Sequence, residues 1–196
     1  MLKDFFNQRA AIWDETVSEK DPEKLTAMAR RLKLKPGAKV LDIGTGTGVF
    51  IPFLLDQIVP GGHIVALDFA EEMLKIAQDK GFPSSIEYLC ADVISIPLAD
   101  ESFDAAVCYS SFPHFQDKPR ALAEINRVLK YDGRLLICHT SSRDEINKIH
   151  HSIPAVRHDT IPDQREMESM LLAAGFTDIE IQDNHQSYLA TATKRD

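Results

Sequence analysis

Three glycines spaced two residues apart, Gly44, Gly46 and Gly48, follow an apolar run that ends at Ile43. Glycine lets the backbone turn at positive φ and lets a ligand approach the main chain without an intervening Cβ. The next residues, 47–55, have a helical pattern, and the free N–H groups at a helix start favour bound phosphate or carboxylate groups. The sequence therefore predicts a nucleotide-like cofactor across this glycine loop.

The spacing of the glycines and the neighbouring charge distinguish between cofactors. A GxGxxG dinucleotide fingerprint counted from Gly44 requires glycine at position 49, where this chain has Val49. Asp42, which precedes the first glycine by two residues, would repel a pyrophosphate and attract a cationic group. The pattern thus favours a cofactor with an ammonium or sulfonium group over NAD.

A second carboxylate, Asp68, ends the next uninterrupted apolar stretch. Open α/β sheets bind ligands beyond the carboxyl ends of their strands, and an acid at this distance from the glycines is suited to accept hydrogen bonds from ribose hydroxyls. The alternative is that Asp68 only caps the helix that begins near Glu71. Both interpretations place its side chain at the same edge of the sheet.

Histidines are the candidate catalytic residues at the edge of the sheet where a substrate would lie. His114 follows the fourth predicted strand and His139 ends the fifth, so either is a candidate proton acceptor near neutral pH. A second interpretation is a metal site formed by His139, His150 and either His158 or Asp159. The third is that these histidines only make ordinary hydrogen bonds. No ligand spacing among them is diagnostic, so all three interpretations stay open.

Apolar runs alternate with helical patterns from Val40 onward, which is typical of a parallel sheet covered by helices on both faces. Strands are predicted over 39–43, 63–67, 85–89, 103–108, 133–139, 177–183 and 187–193, the last two joined as a hairpin. Helices are predicted over 47–57, 70–80, 117–130, 143–151 and 163–174. Residues 1–35 predict two amphipathic helices on or over the sheet, in which Trp13 either covers the acceptor side or anchors the helix to the core.

The ordered set of motifs resembles the class I S-adenosylmethionine-dependent methyltransferases, in particular the small-molecule branch that includes the ubiquinone-biosynthesis, or type 11, enzymes. The stretch from Lys35 to Gly48 is similar to the family's first motif. Five further segments are similar, in order, to the ribose-binding acid, the adenine contact, the fourth strand, the acceptor-side loop and the junction before the fifth strand: Val65–Asp68, Ala91–Val93, Phe103–Cys108, Ser110–His114 and Arg127–Ile137.

The resemblance implies a Rossmann-like, doubly wound, mostly parallel seven-stranded sheet with a C-terminal antiparallel strand and N-terminal helices. It implies S-adenosylmethionine as methyl donor and S-adenosylhomocysteine as product. The cofactor-binding residues it implies are Asp42, Gly44, Thr45, Gly46, Gly48, Asp68, Phe69, Asp92, Val93 and Tyr109. Asp92 also fits the start of a turn.

One methyltransferase domain is expected over 1–196, with a helical lid (1–35), a cofactor-binding half (36–140) and an acceptor-side half (141–196). The predicted function is S-adenosylmethionine-dependent methylation of a small molecule. Two alternatives remain: a non-catalytic module that binds this cofactor, and an NAD-dependent oxidoreductase.

Composition limits the partners. The 196-residue chain has a formal charge of −8 and no dense lysine or arginine run, which disfavours a nucleic-acid substrate. Cys90, Cys108 and Cys138 form no CxxC pair and lie in or beside apolar runs, so we expect reduced, buried thiols in a cytoplasmic protein. No run approaches the ~18 apolar residues of a membrane span. A monomer and a homodimer are both compatible with the sequence.

Overall fold

The structure, a computed structural model, describes residues 2–16 and 19–195. Met1, Val17, Ser18 and Asp196, which fall within the predicted domain 1–196, lie outside the described residues. No helix in the described part of the chain is long and apolar enough to cross a membrane.

Seven strands form one sheet in the order β3-β2-β1-β4-β5-β7-β6. Their bounds are β1 Lys39–Ile43, β2 His63–Asp68, β3 Ile86–Cys90, β4 Phe103–Tyr109, β5 Leu129–His139, β6 Phe176–Asn184 and β7 Ser187–Lys194. Strands β1 to β5 pair in parallel, whereas β7 is antiparallel to both of its neighbours, β5 and β6. The predicted mostly parallel sheet with a C-terminal antiparallel strand is confirmed.

Helices cover the sheet and its cofactor-side edge. They are α1 Leu2–Arg9, α2 Trp13–Thr16, α3 Pro22–Leu32, α4 Ile51–Ile58, α5 Glu71–Asp79, α6 Lys118–Val128, α7 Arg143–Ser152 and α8 Gln164–Ala173, with a 3-10 turn at Ala10–Ile12 between α1 and α2. Asp21 and Asp117 cap α3 and α6 by accepting hydrogen bonds from backbone N–H groups of the first turn.

The core lies on both faces of the sheet, because successive strand side chains point to opposite sides. In β1, Leu41 belongs to an apolar cluster with Leu122 of α6, and Val40 belongs to the opposite cluster with Leu54 of α4. This two-sided burial explains why the central strands are continuously apolar in sequence. It also leaves the strand ends as the place where polar side chains gather.

The predicted starts of two elements were each wrong by four residues. Helix α4 begins at Ile51, not at residue 47, because Gly48 has φ of +79°, which a right-handed helix does not accept. Strand β5 begins at Leu129, not at 133: Leu129 already pairs with Phe103, and an irregularity in the register follows before Ala105 pairs with Arg134. Because α4 begins only at Ile51, the glycine loop is longer than predicted.

The prediction of three buried thiols was wrong for Cys90. Cys108 and Cys138 are buried in β4 and β5, but Cys90 is exposed. The physical reason is position in the sheet, since Cys90 ends the edge strand β3, whereas β4 and β5 have neighbours on both sides.

Candidate cofactor and acceptor site

A cavity of about 200 Å³ lies beyond the carboxyl ends of β1, β2 and β4. The glycine loop, Gly44 to Thr47, forms one wall, and helix α1 and Trp13 lie across it. A Cβ built on Gly46 would meet no atom within 4 Å, so the backbone here is open to a ligand. The position agrees with the rule that open α/β sheets bind ligands at the ends of their strands.

Gly44 brings the loop close to the end of β4. Its φ is +70°, and a Cβ at this position would lie 2.4 Å from the Cβ of Ser111. Ser111 in turn donates a hydrogen bond of 2.6 Å from Oγ to the carbonyl of Ile43. Only glycine satisfies both the backbone conformation and this close approach.

Asp42 is a buried acid behind the loop. Its side chain is 2% exposed and accepts a hydrogen bond of 2.6 Å from Thr45 Oγ1. Burial raises the pKa of Asp42 to about 7; the Thr45 hydrogen bond opposes this shift, and the nearby Asp68 adds to it. A cationic ligand beside Thr45 would be stabilised by the ionised form of this carboxyl.

Asp68 lines the cavity directly. Its Oδ2 accepts a hydrogen bond of 2.8 Å from the Gly46 N–H and its Oδ1 one of 2.8 Å from the Ala70 N–H. Burial raises its pKa to about 6, although these backbone N–H groups favour the ionised form. Each carboxylate oxygen can accept a further hydrogen bond, so Asp68 retains capacity for a ligand hydroxyl.

The structure brings together most of the expected cofactor residues. Eight of the ten line the cavity: Gly44, Thr45, Gly46, Asp68, Phe69, Asp92, Val93 and Tyr109. The other two, Asp42 and Gly48, do not. Asp42 lies behind Thr45, and a Cβ on Gly48 would meet Phe82 at 3.0 Å and Ala77 at 3.3 Å, so this glycine allows close packing of the loop against α5. Exposed Asp92 also accepts a hydrogen bond of 3.1 Å from the Ile94 N–H, as a turn-forming aspartate does.

The N-terminal segment covers this cavity. Leu2, Phe6 and Trp13 line it, and the Phe6 ring lies edge-on to those of Trp13 at 5.5 Å and Phe69 at 6.0 Å. Trp13 thus both lines the cavity and packs against a neighbouring helix. Asp14 accepts a hydrogen bond from Thr47 Oγ1 in the glycine loop. These contacts join the segment to the loop.

Glu19, which the sequence analysis did not single out, is buried beside the cavity at 6% exposure. Its carboxylate accepts hydrogen bonds from Ser110 Oγ and, at 2.6 Å, from the Thr140 N–H. Burial alone would raise the pKa of Glu19, but His139 and these donors outweigh burial and hold it below its ordinary value. A lone glutamate in a polar stretch carries no sequence signal for such a role.

His114 and Asp159 form a pair at the acceptor side. His114 lines the cavity and its Nδ1 lies 2.9 Å from Asp159 Oδ2. Burial lowers the pKa of His114, and Asp159 only partly offsets this effect. The imidazole is therefore neutral at neutral pH, as a proton acceptor must be.

His139 has different surroundings. It is 1% exposed, does not line the cavity, and its Nδ1 lies 3.2 Å from Glu19 Oε2. Its Nε2 is buried without a hydrogen-bond partner. The geometry brings His114, and not His139, to the cavity wall.

The predicted metal site is not formed in the described part of the chain. Nowhere among residues 2–16 and 19–195 do three or more His, Cys, Asp or Glu side chains form a group that could hold a metal ion. His139 contacts Glu19, His150 Nδ1 contacts the Asp159 carbonyl, and His158 is exposed beside Arg157. Arg143, the first residue of α7, pairs with Asp144 at 2.8 Å.

Comparison with known proteins agrees with this geometry. A family model described as a methyltransferase domain matches residues 41–137. A demethylmenaquinone methyltransferase from Thermus thermophilus is 38% identical over 105 residues, which cover 53% of this chain and 47% of that protein. A ubiquinone/menaquinone biosynthesis C-methyltransferase from Vibrio campbellii is 30% identical over 169 residues, which cover 72% of this chain and 65% of that protein. The chain spans about half the length of most of the curated relatives it matches.

The fold has a close counterpart among solved structures. A possible histamine N-methyltransferase from Thermotoga maritima superposes with a TM-score of 0.78 over 100% of both chains at 20% sequence identity. The relatives named here are methyltransferases, so the oxidoreductase alternative gains no support. Residues 41–137 thus match a methyltransferase domain, the curated relatives are methyltransferases, and the strand order confirms the expected Rossmann-like fold.

Proposed function

We propose that the chain binds S-adenosylmethionine in this cavity and transfers its methyl group to a small-molecule acceptor. The observation that carries the proposal is the placement of the Asp68 carboxylate in the cavity wall, beside the open backbone of Gly46. Asp68 is suited to hold ribose hydroxyls, and the loop admits a ligand against its main chain. Asp42 adds a buried negative charge that favours a cationic ligand.

The bound cofactor supplies an electrophilic methyl group on a positively charged sulfur. The chain's own residues then have to align an acceptor with it and exclude water, which can provide ~7–11 kcal/mol of barrier reduction. Phe6 and Trp13 cover the cavity from the N-terminal side. We therefore assign the cavity-lining part of residues 1–35, which includes Phe6 and Trp13, as the lid, whereas α3 packs against α4 in the core. We assign 36–140 as the cofactor-binding half and 141–196 as the acceptor-side half that supplies Asp159.

A small acceptor is supported by Phe6 and Trp13, which lie over the cavity. The two curated relatives are named as methyltransferases of demethylmenaquinone and of ubiquinone/menaquinone biosynthesis, which supports the same class. A formal charge of −8 argues against a nucleic-acid acceptor. The proposal includes a cytoplasmic location and a monomer or homodimer.

Calorimetric titration with S-adenosylhomocysteine and, separately, with NAD tests the cofactor. We expect micromolar binding of S-adenosylhomocysteine and none of NAD. Asp68→Ala should weaken the binding at least tenfold, equivalent to ~1.4 kcal/mol. Asp56→Ala, at an exposed position on α4, is the matched control and should bind like the unmodified protein. NAD binding, or equal affinities for the two variants, would refute the proposal.

A further inference from the structure

We propose that His114 is the proton acceptor of the reaction, oriented by Asp159, and that the acceptor is a small planar molecule with an acidic hydroxyl of the phenol class. This inference rests on the proposed function. It adds the identity of the base, a positioning residue and the chemistry of the methylated atom. Three features carry it: the free ring nitrogen of His114, the support behind Asp159, and the aromatic wall around them.

His114 has one ring nitrogen engaged and one available. Nδ1 is paired with Asp159, whereas Nε2 has no hydrogen-bond partner among residues 2–16 and 19–195. The His114 side chain is 14% exposed and lines the cavity, so a ligand in the cavity can reach it. His139, the other candidate, is 1% exposed and its free nitrogen is buried.

The surroundings of His114 keep it neutral and fix its tautomer. Burial lowers its pKa, and the nearby His139 and Lys118 also disfavour a second positive charge, against the opposing effect of Asp159. The ring of His150 lies 4.8 Å away, and the pKa of His150 is also lowered by burial. With Asp159 accepting from Nδ1–H, the unprotonated nitrogen is Nε2.

Asp159 is itself held in place. His150 Nδ1 lies 2.5 Å from the Asp159 carbonyl oxygen, and the Asp159 N–H donates a hydrogen bond of 2.9 Å to the Val156 carbonyl. Its carboxylate is 13% exposed, which strengthens its interaction with the imidazole relative to water. Asp159 therefore acts through His114 and is a positioning residue.

The aromatic side chains around His114 favour an acceptor with a flat, apolar ring. The Phe6 ring lies edge-on to the imidazole at 5.1 Å and contacts Trp13 and Phe69 on its other sides. Aromatic side chains favour flat, apolar ligands, and the carboxylates in the cavity wall disfavour an anionic body. A phenol brings an aromatic ring for this wall and one proton for Nε2.

The step balances without a further reactant. The hydroxyl proton passes to His114 Nε2 as the oxygen forms its bond to the methyl carbon, and the carbon–sulfur bond breaks with its electron pair remaining on sulfur. The imidazolium then releases the proton to water. The products are a methyl ether, S-adenosylhomocysteine and one proton.

Turnover is measured as S-adenosylhomocysteine formed with catechol and 1,2-dihydroxynaphthalene, and with N,N-dimethylaniline and thioanisole, which carry no proton on the accepting atom. We expect methylation of the two hydroxyl compounds. His114→Gln and His114→Ala should lower kcat ~100-fold or more, within the range of general-base catalysis. Added imidazole should partly restore the kcat of His114→Ala. A purely structural role of His114 would not predict this rescue. Asp159→Asn should lower kcat less and change its pH profile.

A readout independent of turnover is the ¹⁵N spectrum of histidine-labelled protein. Wild-type His114 should show the neutral Nδ1–H tautomer at pH 7, and Asp159→Asn should change its tautomer ratio. His151→Gln, on the exposed side of α7, is the control and should change neither spectrum nor rate.

Calorimetry with S-adenosylhomocysteine on the same proteins separates this inference from the proposed function. Three results would overturn the inference if S-adenosylhomocysteine still binds. The first is turnover only of the two acceptors without a proton, and the second is no turnover of any of the four compounds. The third is full activity of His114→Gln. Loss of nucleoside binding in the unmodified protein would refute the proposed function instead.

Discussion

Glu19 and Thr140 are joined by a hydrogen bond of 2.6 Å from the Thr140 N–H to the glutamate carboxylate, across 121 residues of sequence. The same carboxylate accepts from Ser110 and contacts His139, and Tyr109 donates a hydrogen bond of 2.9 Å to the Glu19 carbonyl. One buried residue thus connects the N-terminal segment to the ends of β4 and β5. We infer that this network holds the lid closed over the cavity.

Replacing Glu19 by alanine should therefore loosen the lid. The change leaves the buried donors of Thr140 and His139 without their acceptor, which costs ~1–3 kcal/mol of unfolding free energy. Lys20, whose Nζ now donates to the carbonyls of Asp14 and Glu15, should become more accessible to trypsin. We expect tryptic cleavage after Lys20, followed by mass spectrometry, to accelerate at least tenfold.

Glu15→Ala is the matched control, since the Glu15 side chain is exposed and the Lys20 contact uses only its backbone. It should leave the cleavage rate and the urea midpoint near those of the unmodified protein. Equal rates for the Glu19 and Glu15 variants would show that the carboxylate network does not hold the lid.

Local sequence pattern predicted the ends of β1 and β2, where the cavity lies. The apolar runs of β1 and β2 end at Ile43 and Asp68 as expected, because strands buried on both faces are continuous in sequence. Asp68 ends β2 and the glycines follow β1 directly, so their placement needs only the strand assignment. The start of α4 was misplaced because the helical pattern of side chains continues through Gly48, whose φ of +79° the pattern does not reveal.

Long-range contacts account for what the sequence did not predict. The Glu19 carboxylate contacts residues 91 to 121 positions away, and Asp159 contacts His114 across 45 positions. Neither acid lies at a strand end or within a motif, so only the packing of distant segments gives it a partner. The same reason explains why the predicted metal site does not form within the part of the chain that the structure describes: His139 contacts Glu19, whereas His150 contacts the Asp159 carbonyl.

Gly44→Ala should be far more damaging than an alanine at a glycine without neighbours. Position 44 combines a φ of +70° with a Cβ that would lie 2.4 Å from that of Ser111. Gly81 has a similar φ of +67° but no atom within 4 Å of such a Cβ. Gly81→Ala should therefore lose only the free energy that the left-handed conformation costs an alanine, ~1–2 kcal/mol.

We expect Gly44→Ala to lose at least ~2 kcal/mol more than Gly81→Ala, because the loop or the end of β4 must move. Urea unfolding followed by circular dichroism gives both values. The Gly44 variant should also bind S-adenosylhomocysteine more weakly, whereas the Gly81 variant should not. Equal losses of stability would mean that the contact with Ser111 relaxes without cost.

Asp42 should make the ligand-free protein less stable as the pH rises. Its folded pKa of about 7 lies above the ordinary value of 3.8, so the folded state binds more protons than the unfolded state between these values. Its contribution to stability is thus fully present below about pH 4 and is lost as the pH rises through about 7. The total is on the order of a few kcal/mol, since one pKa unit corresponds to ~1.4 kcal/mol.

Asp42→Asn removes the titration and keeps an oxygen that can accept from Thr45 Oγ1, which now donates at 2.6 Å. Urea midpoints of the variant and the unmodified protein, measured from pH 5 to pH 8, should therefore diverge in favour of the variant. A cationic ligand should reverse the order, because it lowers the pKa of the buried acid and is bound more tightly by the ionised form. Parallel midpoints across this range would show that Asp42 stays ionised in the folded protein, and that its burial is compensated without a ligand.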